Sequence, residues 1–248
     1  MPAPAQIDTF AQAATTAYRE VYNVFDRTAT GEGASLQPIR AECFMVSKPR
    51  GHTTVEVLGA LRTELLPNRH RAAGRAAPAN DRIAVLLSSC DIYGFDDTKP
   101  SDEASYLREA FVDIGYYKVT NTNWQALLAM RYDYGSRGAT KAHPIFHAQV
   151  HDGRVGKRIA NMAATPNVQT LPEKEVFQLV RVPTANMIGA SALLKLSADH
   201  LSHGSFTAVL QRLRALTFFS NWRCNCSSLD DVNSVRGLLA SGWYGSRP

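Results

Sequence analysis

Ala126-Leu-Leu-Ala-Met-Arg-Tyr-Asp-Tyr134 and His143-Pro-Ile-Phe-His-Ala-Gln-Val-His151 are the two stretches on which the reading of this chain turns. Both read as strands. Side chains alternate across a pleat, so the second stretch sets His143, Ile145, His147, Gln149 and His151 on one face. Pro144, Phe146, Ala148 and Val150 then point the other way, into a core. If the two stretches pair as a hairpin, Gly135-Ser-Arg-Gly-Ala-Thr-Lys-Ala142 joins them and the sheet is antiparallel there. Arg131 and Asp133 share one face, opposite Tyr132 and Tyr134. Which of these faces meets the histidines depends on register, and a slip of one residue exchanges them.

Outward from this pair, strands fill the middle of the chain and helices its ends. Ile7, Phe10, Ala14, Tyr18, Val21 and Phe25 recur at three- and four-residue steps and predict a helix over 6–26, broken by Thr28–Gly33. Residues 39–47 read as a strand. Thr53 and Glu56 form a capping-box pattern that predicts a helix running to Leu66. Ile83–Cys90 reads as a short buried strand, and Ser101 as the cap of a helix with Leu107, Ala110 and Phe111 inside. Strands are expected at 115–120, 126–134, 143–151 and 176–182. Thr184-Ala-Asn186 opens a helix with Met187, Ala190, Leu194, Ala198 and Leu201 on one stripe. Ser205 and Ser228 are read as the caps of two more, ahead of a tail at 241–248. The pattern predicts an α+β fold, a central mostly antiparallel sheet flanked by N-terminal helices and a helical C-terminal third. A single domain over 1–248 is the expected division.

Composition sets the outer bounds. The 248 residues are 45% hydrophobic and 20% charged, an ordinary globular balance. No apolar run approaches the roughly 20 residues that span a bilayer, and the N-terminus lacks the basic and apolar regions of a secretory signal. A cytoplasmic location with no membrane partner is expected. The formal charge of +5 is uneven: the loop at 67–82 carries Arg69, Arg71, Arg75 and Arg82 against Asp81 alone. Such a segment can contact a polyanion by displacing counterions, or serve only as a solvated linker. Cys43 and Cys90 read as small buried hydrophobes. Cys224-Asn-Cys226 has the wrong spacing for a structural zinc site. No glycine-rich phosphate loop is present, so neither a metal nor a cofactor is predicted.

The histidine strand is the leading chemical feature, because imidazoles and an amide on one face suit phosphate binding or acid–base work. The bland alternative is a polar sheet face under solvent or a helix. His147 and His151 would lie about 13 Å apart along a strand, too far to ligate one ion together. His147-Ala-Gln-Val-His151 superficially resembles the alternating strand of histidine-triad nucleotide hydrolases and transferases. Gln149 stands where their attacking histidine would be, and an amide cannot take that role. An Asp133–His147 pair across strands would fix a histidine tautomer for catalysis. Arg137 and Lys141 add positive charge at the hairpin tip. Asp91, Asp96 and Asp97 could hold Mg²⁺ in a nuclease, with Lys99 stabilising a developing phosphate charge, though an acidic turn ahead of Ser101 is the preferred reading.

Arg131-Tyr-Asp-Tyr134, His143-Pro-Ile-Phe-His147 and Arg181-Val-Pro-Thr184, taken in order, resemble a family of bacterial proteins of unknown function. There a strand of R-Y-D-Y character precedes H-P-x-x-H-x-H, and an R-[IV]-P turn opens a long helix. The resemblance covers roughly residues 126–202 and departs at Gln149, where a second strand histidine would stand. It implies a His/Arg surface and no particular activity. If Arg181 lies beside the histidine strand, the N-terminus of the helix opened near Asn186 would point at the same surface and complete an anion site.

Three functions follow as expectations. The first is a non-enzymatic binding protein that engages nucleic acid or a nucleotide through Arg131, His143, His147, Gln149, His151 and Arg181. Arg69, Arg71, Arg75, Arg137 and Lys141 would be auxiliary contacts. The second is a metal-dependent phosphodiesterase or nuclease with His147 as general base and Asp133 as its orienting partner. The third is a structural subunit of a complex with the products of neighbouring genes.

Overall fold

A computed structural model of the chain describes residues 4–39, 41–49, 53–64, 82–96, 98, 104–120, 123–135, 146–155, 167–172, 181–183 and 187–220. A long helix, α1 (Pro4–Gly31), is followed by strands β1 (Ser35–Pro38), β2 (Phe44–Ser47), β3 (Thr54–Glu64), β4 (Arg82–Phe95), β5 (Ser105–Thr120), β6 (Asn123–Gly135), β7 (Phe146–Val150), β8 (Asn167–Gln169) and β9 (Arg181–Pro183). Helices α2 (Gly189–His200), α3 (His203–Ala215) and α4 (Thr217–Ser220) complete the described chain. The fold is α+β, as the sequence predicts. No described helix is long and apolar enough to cross a membrane.

Among the described residues the strands form one sheet in the order β1-β3-β4-β5-β6-β7-β9. Strand β2 shares the edge of β3 with β1, and β8 adds to β6 as the one parallel pairing. The remaining pairs are antiparallel, so neighbours in sequence are mostly neighbours in space.

Every described helix packs on one face. Tyr18, Val21, Phe25 and Ala29 of α1 and Ala190, Leu193 and Leu196 of α2 form a single core with Val55, Val57, Leu61, Val85, Leu87, Ile114 and Tyr134 of the sheet. The opposite face carries a smaller cluster of Ala84, Leu86, Tyr117, Trp124, Ala126 and Val155, to which no described helix contributes. Helix α2 approaches the sheet closely at its first residue: a Cβ on Gly189 would sit 2.5 Å from Ser89 Oγ and 2.7 Å from the Phe44 ring. Glu32, just past α1, accepts the Ser202 N–H at 2.9 Å and so ties the end of α1 to the start of α3.

Several elements differ from expectation. The predicted helix from Thr53 to Leu66 is strand β3: Val55, Val57 and Leu61 alternate onto the helix-bearing face, and that period of two overrides the capping-box pattern. The predicted helix after Ser101 is strand β5, a 16-residue strand rich in β-branched and aromatic residues that suit a pleat. Arg82, read as the end of the basic loop, opens β4. Ser202 rather than Ser205 caps α3, its hydroxyl accepting the Ser205 N–H at 3.2 Å. The buried stripe of α2 is Ala190, Leu193, Leu196, Ser197 and His200, leaving Ala198 exposed. The predicted cap at Ser228, the tail, and Cys224 and Cys226 lie outside the described residues, as do the basic-loop residues Arg69, Arg71 and Arg75.

Candidate functional site

Register brings the expected residues together. Asp133 lies opposite His147, Arg131 opposite Gln149, and Gln149 opposite Arg181. Two adjacent rows therefore cross the face to which no described helix contributes. One runs Ser88, Asp113, Arg131, Gln149, Arg181; the other runs Cys90, Phe111, Asp133, His147, Pro183. Ala148, between the two histidine-strand positions, turns into the helix-side core as the alternation requires. His143, Arg137 and Lys141 lie outside the described residues, and Arg181 is described by its strand pairing alone.

The centre of the site is the Asp133 carboxylate. Arg131 Nε donates to it, 2.8 Å from Oδ1 and 2.7 Å from Oδ2. His147 Nε2 lies 3.5 Å from Oδ2 on the other side. His147 is only 3% exposed and the Asp133 side chain 8%, whereas the Arg131 side chain is 30% exposed. The histidine and the aspartate thus form a buried base, and the guanidinium reaches toward solvent from it. Its bond to Asp133 uses Nε, and among the described residues Nη1 and Nη2 hold no partner.

His151 follows β7 directly. Its backbone N–H bonds the Ala129 carbonyl at 3.0 Å, and its Nδ1 accepts the Gly153 N–H at 3.3 Å. That contact places the proton of the neutral ring on Nε2, which is buried without a hydrogen-bond partner. Burial pushes the pKa of His151 below its ordinary 6.5, against the pull of the Asp113 and Asp152 carboxylates. Gly153 takes φ +94°, a left-handed conformation that glycine adopts without strain, and its carbonyl accepts the Tyr117 hydroxyl at 2.6 Å.

Sequence reading missed Asp113 and Asp152. Asp113 was hidden by the helical reading of the segment after Ser101; read with a period of two, Phe111 and Asp113 share a face. Asp152 follows the histidine strand directly and accepts the Arg154 N–H at 3.1 Å. Among the described residues no group of three or more His, Cys, Asp or Glu is placed to hold a metal ion.

The expected anion site at the helix N-terminus is not built on this face. Gly189 opens α2 on the opposite side of the sheet, where its N–H is taken at 2.9 Å by Oδ2 of Asp91. The same oxygen accepts the Tyr18 hydroxyl at 2.7 Å, and Tyr18 in turn bonds Tyr93 at 2.7 Å. Asp91 is fully buried, and desolvation raises its pKa from 3.8 to about 7. It is no partner for Asp96, which forms a turn with Thr98 at the exposed end of β4. The Mg²⁺ arrangement is therefore not assembled from Asp91 and Asp96; Asp97 and Lys99 lie outside the described residues.

Comparison with protein-family models, with curated proteins and with solved structures gave no match.

Proposed function

We propose that the protein binds an anionic partner, a nucleic acid or a nucleotide, on the sheet face that carries Arg131, His147, Gln149 and His151. The observation behind this reading is the condition of Arg131. Its guanidinium is fixed by Asp133 through Nε, its two terminal nitrogens have no partner among the described residues, and Gln149 and Arg181 follow it in one cross-strand row. A planar fork held in advance costs little further ordering when it grips two phosphate oxygens or a base edge. The neighbouring carboxylates Asp113 and Asp133 offset much of the local positive charge, so the site orients a ligand more than it attracts one. Attraction falls to the +5 charge of the chain and to Arg69, Arg71, Arg75, Arg137 and Lys141. Protein partners encoded by neighbouring genes belong to the same proposal and would copurify through surfaces other than this row.

Titration of labelled DNA and RNA oligonucleotides and of free nucleotides across a salt series tests it. Affinity should fall steeply with salt, and Arg131→Gln should weaken binding by about tenfold and reduce the salt slope by about one. Binding that ignores salt, or that survives Arg131→Gln intact, removes the proposal.

One observation favours a second reading. The 3.5 Å approach of Asp133 to His147 is the geometry that orients an imidazole for proton transfer in a phosphodiesterase or nuclease. Against it, His147 is almost fully buried, and a general base must reach its substrate. Incubation with DNA, RNA and cyclic dinucleotides, with and without Mg²⁺ or Mn²⁺, decides the matter. Turnover abolished by His147→Ala supports catalysis; turnover indifferent to that change rules out this residue.

A further inference from the structure

The Arg131 guanidinium is held on one side and free on another. Its Nε is occupied by Asp133, 2.8 Å from Oδ1 and 2.7 Å from Oδ2. The edge opposite Nε carries Nη1 and Nη2, which hold no partner among the described residues. A guanidinium is planar, so that terminal edge points two parallel N–H groups the same way. The side chain is 30% exposed, which leaves it accessible to a ligand.

What this edge can take is set by the charges around it. Asp133 touches the same guanidinium, and Asp113 lies directly opposite Arg131 in the register of β5 against β6. Both carboxylates are buried, where charges are weakly screened. Burial also disfavours the charged form of His151, so that ring adds little positive charge near pH 7. Among the described side chains, a phosphate on the terminal edge would therefore meet two carboxylates with one guanidinium between them. An uncharged partner with two adjacent acceptors meets no such repulsion. Of the bases, only guanine presents two neighbouring acceptors, O6 and N7, on one edge. Adenine sets a donor beside N7, and thymine offers a single acceptor. Gln149, opposite Arg131 on β7, carries the donor and acceptor that suit adenine, so adenine is the base to compare.

We infer, on the footing of the nucleic-acid or nucleotide reading above, that Arg131 reads guanine. The base of the ligand lies on the terminal edge, its O6 and N7 accepting from Nη1 and Nη2.

Fluorescence anisotropy with the full chain tests this, using single-stranded oligo(dT) that carries one central guanine, hypoxanthine, 7-deazaguanine or adenine. Guanine should bind at least about tenfold more tightly than adenine. Hypoxanthine keeps O6 and N7 and should match guanine within about twofold, whereas 7-deazaguanine lacks N7 and should lose about tenfold. Arg131→Lys keeps the charge but not the planar fork, and should bring guanine and adenine to within about twofold of each other. Competition with GMP and AMP separates the two sources of the base. GMP competing at least about fivefold better than AMP identifies a free nucleotide, and discrimination confined to oligonucleotides identifies nucleic acid. Equal affinity for the guanine and adenine oligonucleotides overturns the guanine assignment. If that common affinity still falls with salt and with Arg131→Gln, the anionic-partner reading stands without it. Hypoxanthine binding like adenine, or 7-deazaguanine binding like guanine, overturns the assignment as well, because the edge being read is then not O6 with N7. No binding of any probe removes both readings.

Discussion

Asp91 and Asp133 are buried on opposite faces of the sheet, and the fold treats the two carboxylates differently. Asp91, on the helix-bearing face, has neutral donors: the Tyr18 hydroxyl and the Gly189 N–H share its Oδ2, with no cation in contact among the described residues. Its ionised form is disfavoured, and its pKa rises to about 7. Asp133, on the face to which no described helix contributes, has the Arg131 guanidinium at 2.7 Å and the His147 imidazole at 3.5 Å from its Oδ2. The first carboxylate joins three pieces of chain, α1, β4 and the start of α2. The second holds a partly exposed arginine in a fixed direction. Depth alone does not separate them, since both are buried. What differs is whether the partner brings a charge and an exit to solvent.

The sharpest way to break the comparison is at Asp91. Asp91→Ala leaves the Gly189 N–H without its acceptor and opens a void, and should cost about 3 kcal/mol in chemical denaturation. The cost should shrink as pH rises. Between about pH 4 and pH 7 the native chain holds a proton on Asp91 that the unfolded chain, near 3.8, has released. Wild-type stability therefore falls with rising pH across that window and is flat above it. Asp91→Asn should remove this slope. Gly189→Ala comes next: its Cβ meets Ser89 and Phe44 below 3.0 Å, so α2 must back away, at a cost of about 2 kcal/mol. Asp133→Asn should lower stability by about 1 kcal/mol or less, because Arg131 of the pair is partly solvated. Its larger effect should be on oligonucleotide affinity, since Arg131 is no longer held. If Asp133→Asn proves as destabilising as Asp91→Ala, the Asp133 cluster is structural and the distinction fails.

What was legible in the sequence follows the same division. The α1 stripe was legible because Tyr18, Val21 and Phe25 repeat at helical spacing over a long run. The strands at 131–134 and 147–151 were legible because polar and apolar residues alternate along them. Segments with apolar residues on both faces were not. In β3, Ala60 and Leu61 are both buried, so alternation is blurred and Thr53 with Glu56 imitates a helix start. Asp91 was visible as an acid but not as a junction, because its partners stand 73 and 98 residues away. The pairing of Asp133 with His147 needed the register of β6 against β7, which local pattern does not supply. The direction of α2 was misjudged for a related reason. Arg181 does join the histidine strand, but α2 begins on the other face of the sheet.

The smallest effect is also the one with opposite sign. His151 is held neutral by burial, so its native pKa lies below the 6.5 of the unfolded chain. As pH falls through 6.5, the unfolded chain takes up a proton that the native chain resists, and stability drops. Asp91 pushes stability upward over the same fall in pH, which masks the histidine in the wild-type curve. Measured in an Asp91→Asn background, unfolding between pH 7 and pH 5 should show a decline that His151→Gln reduces. An anionic ligand should reduce it too, because a phosphate near Arg131 and His151 favours the imidazolium and couples its own affinity to lower pH. Oligonucleotide affinity should therefore rise as pH falls from 7 to 5.5 in the wild type and stay flat in His151→Gln. A flat profile in both would place His151 on the structural side of the comparison, with Asp91 rather than with Arg131.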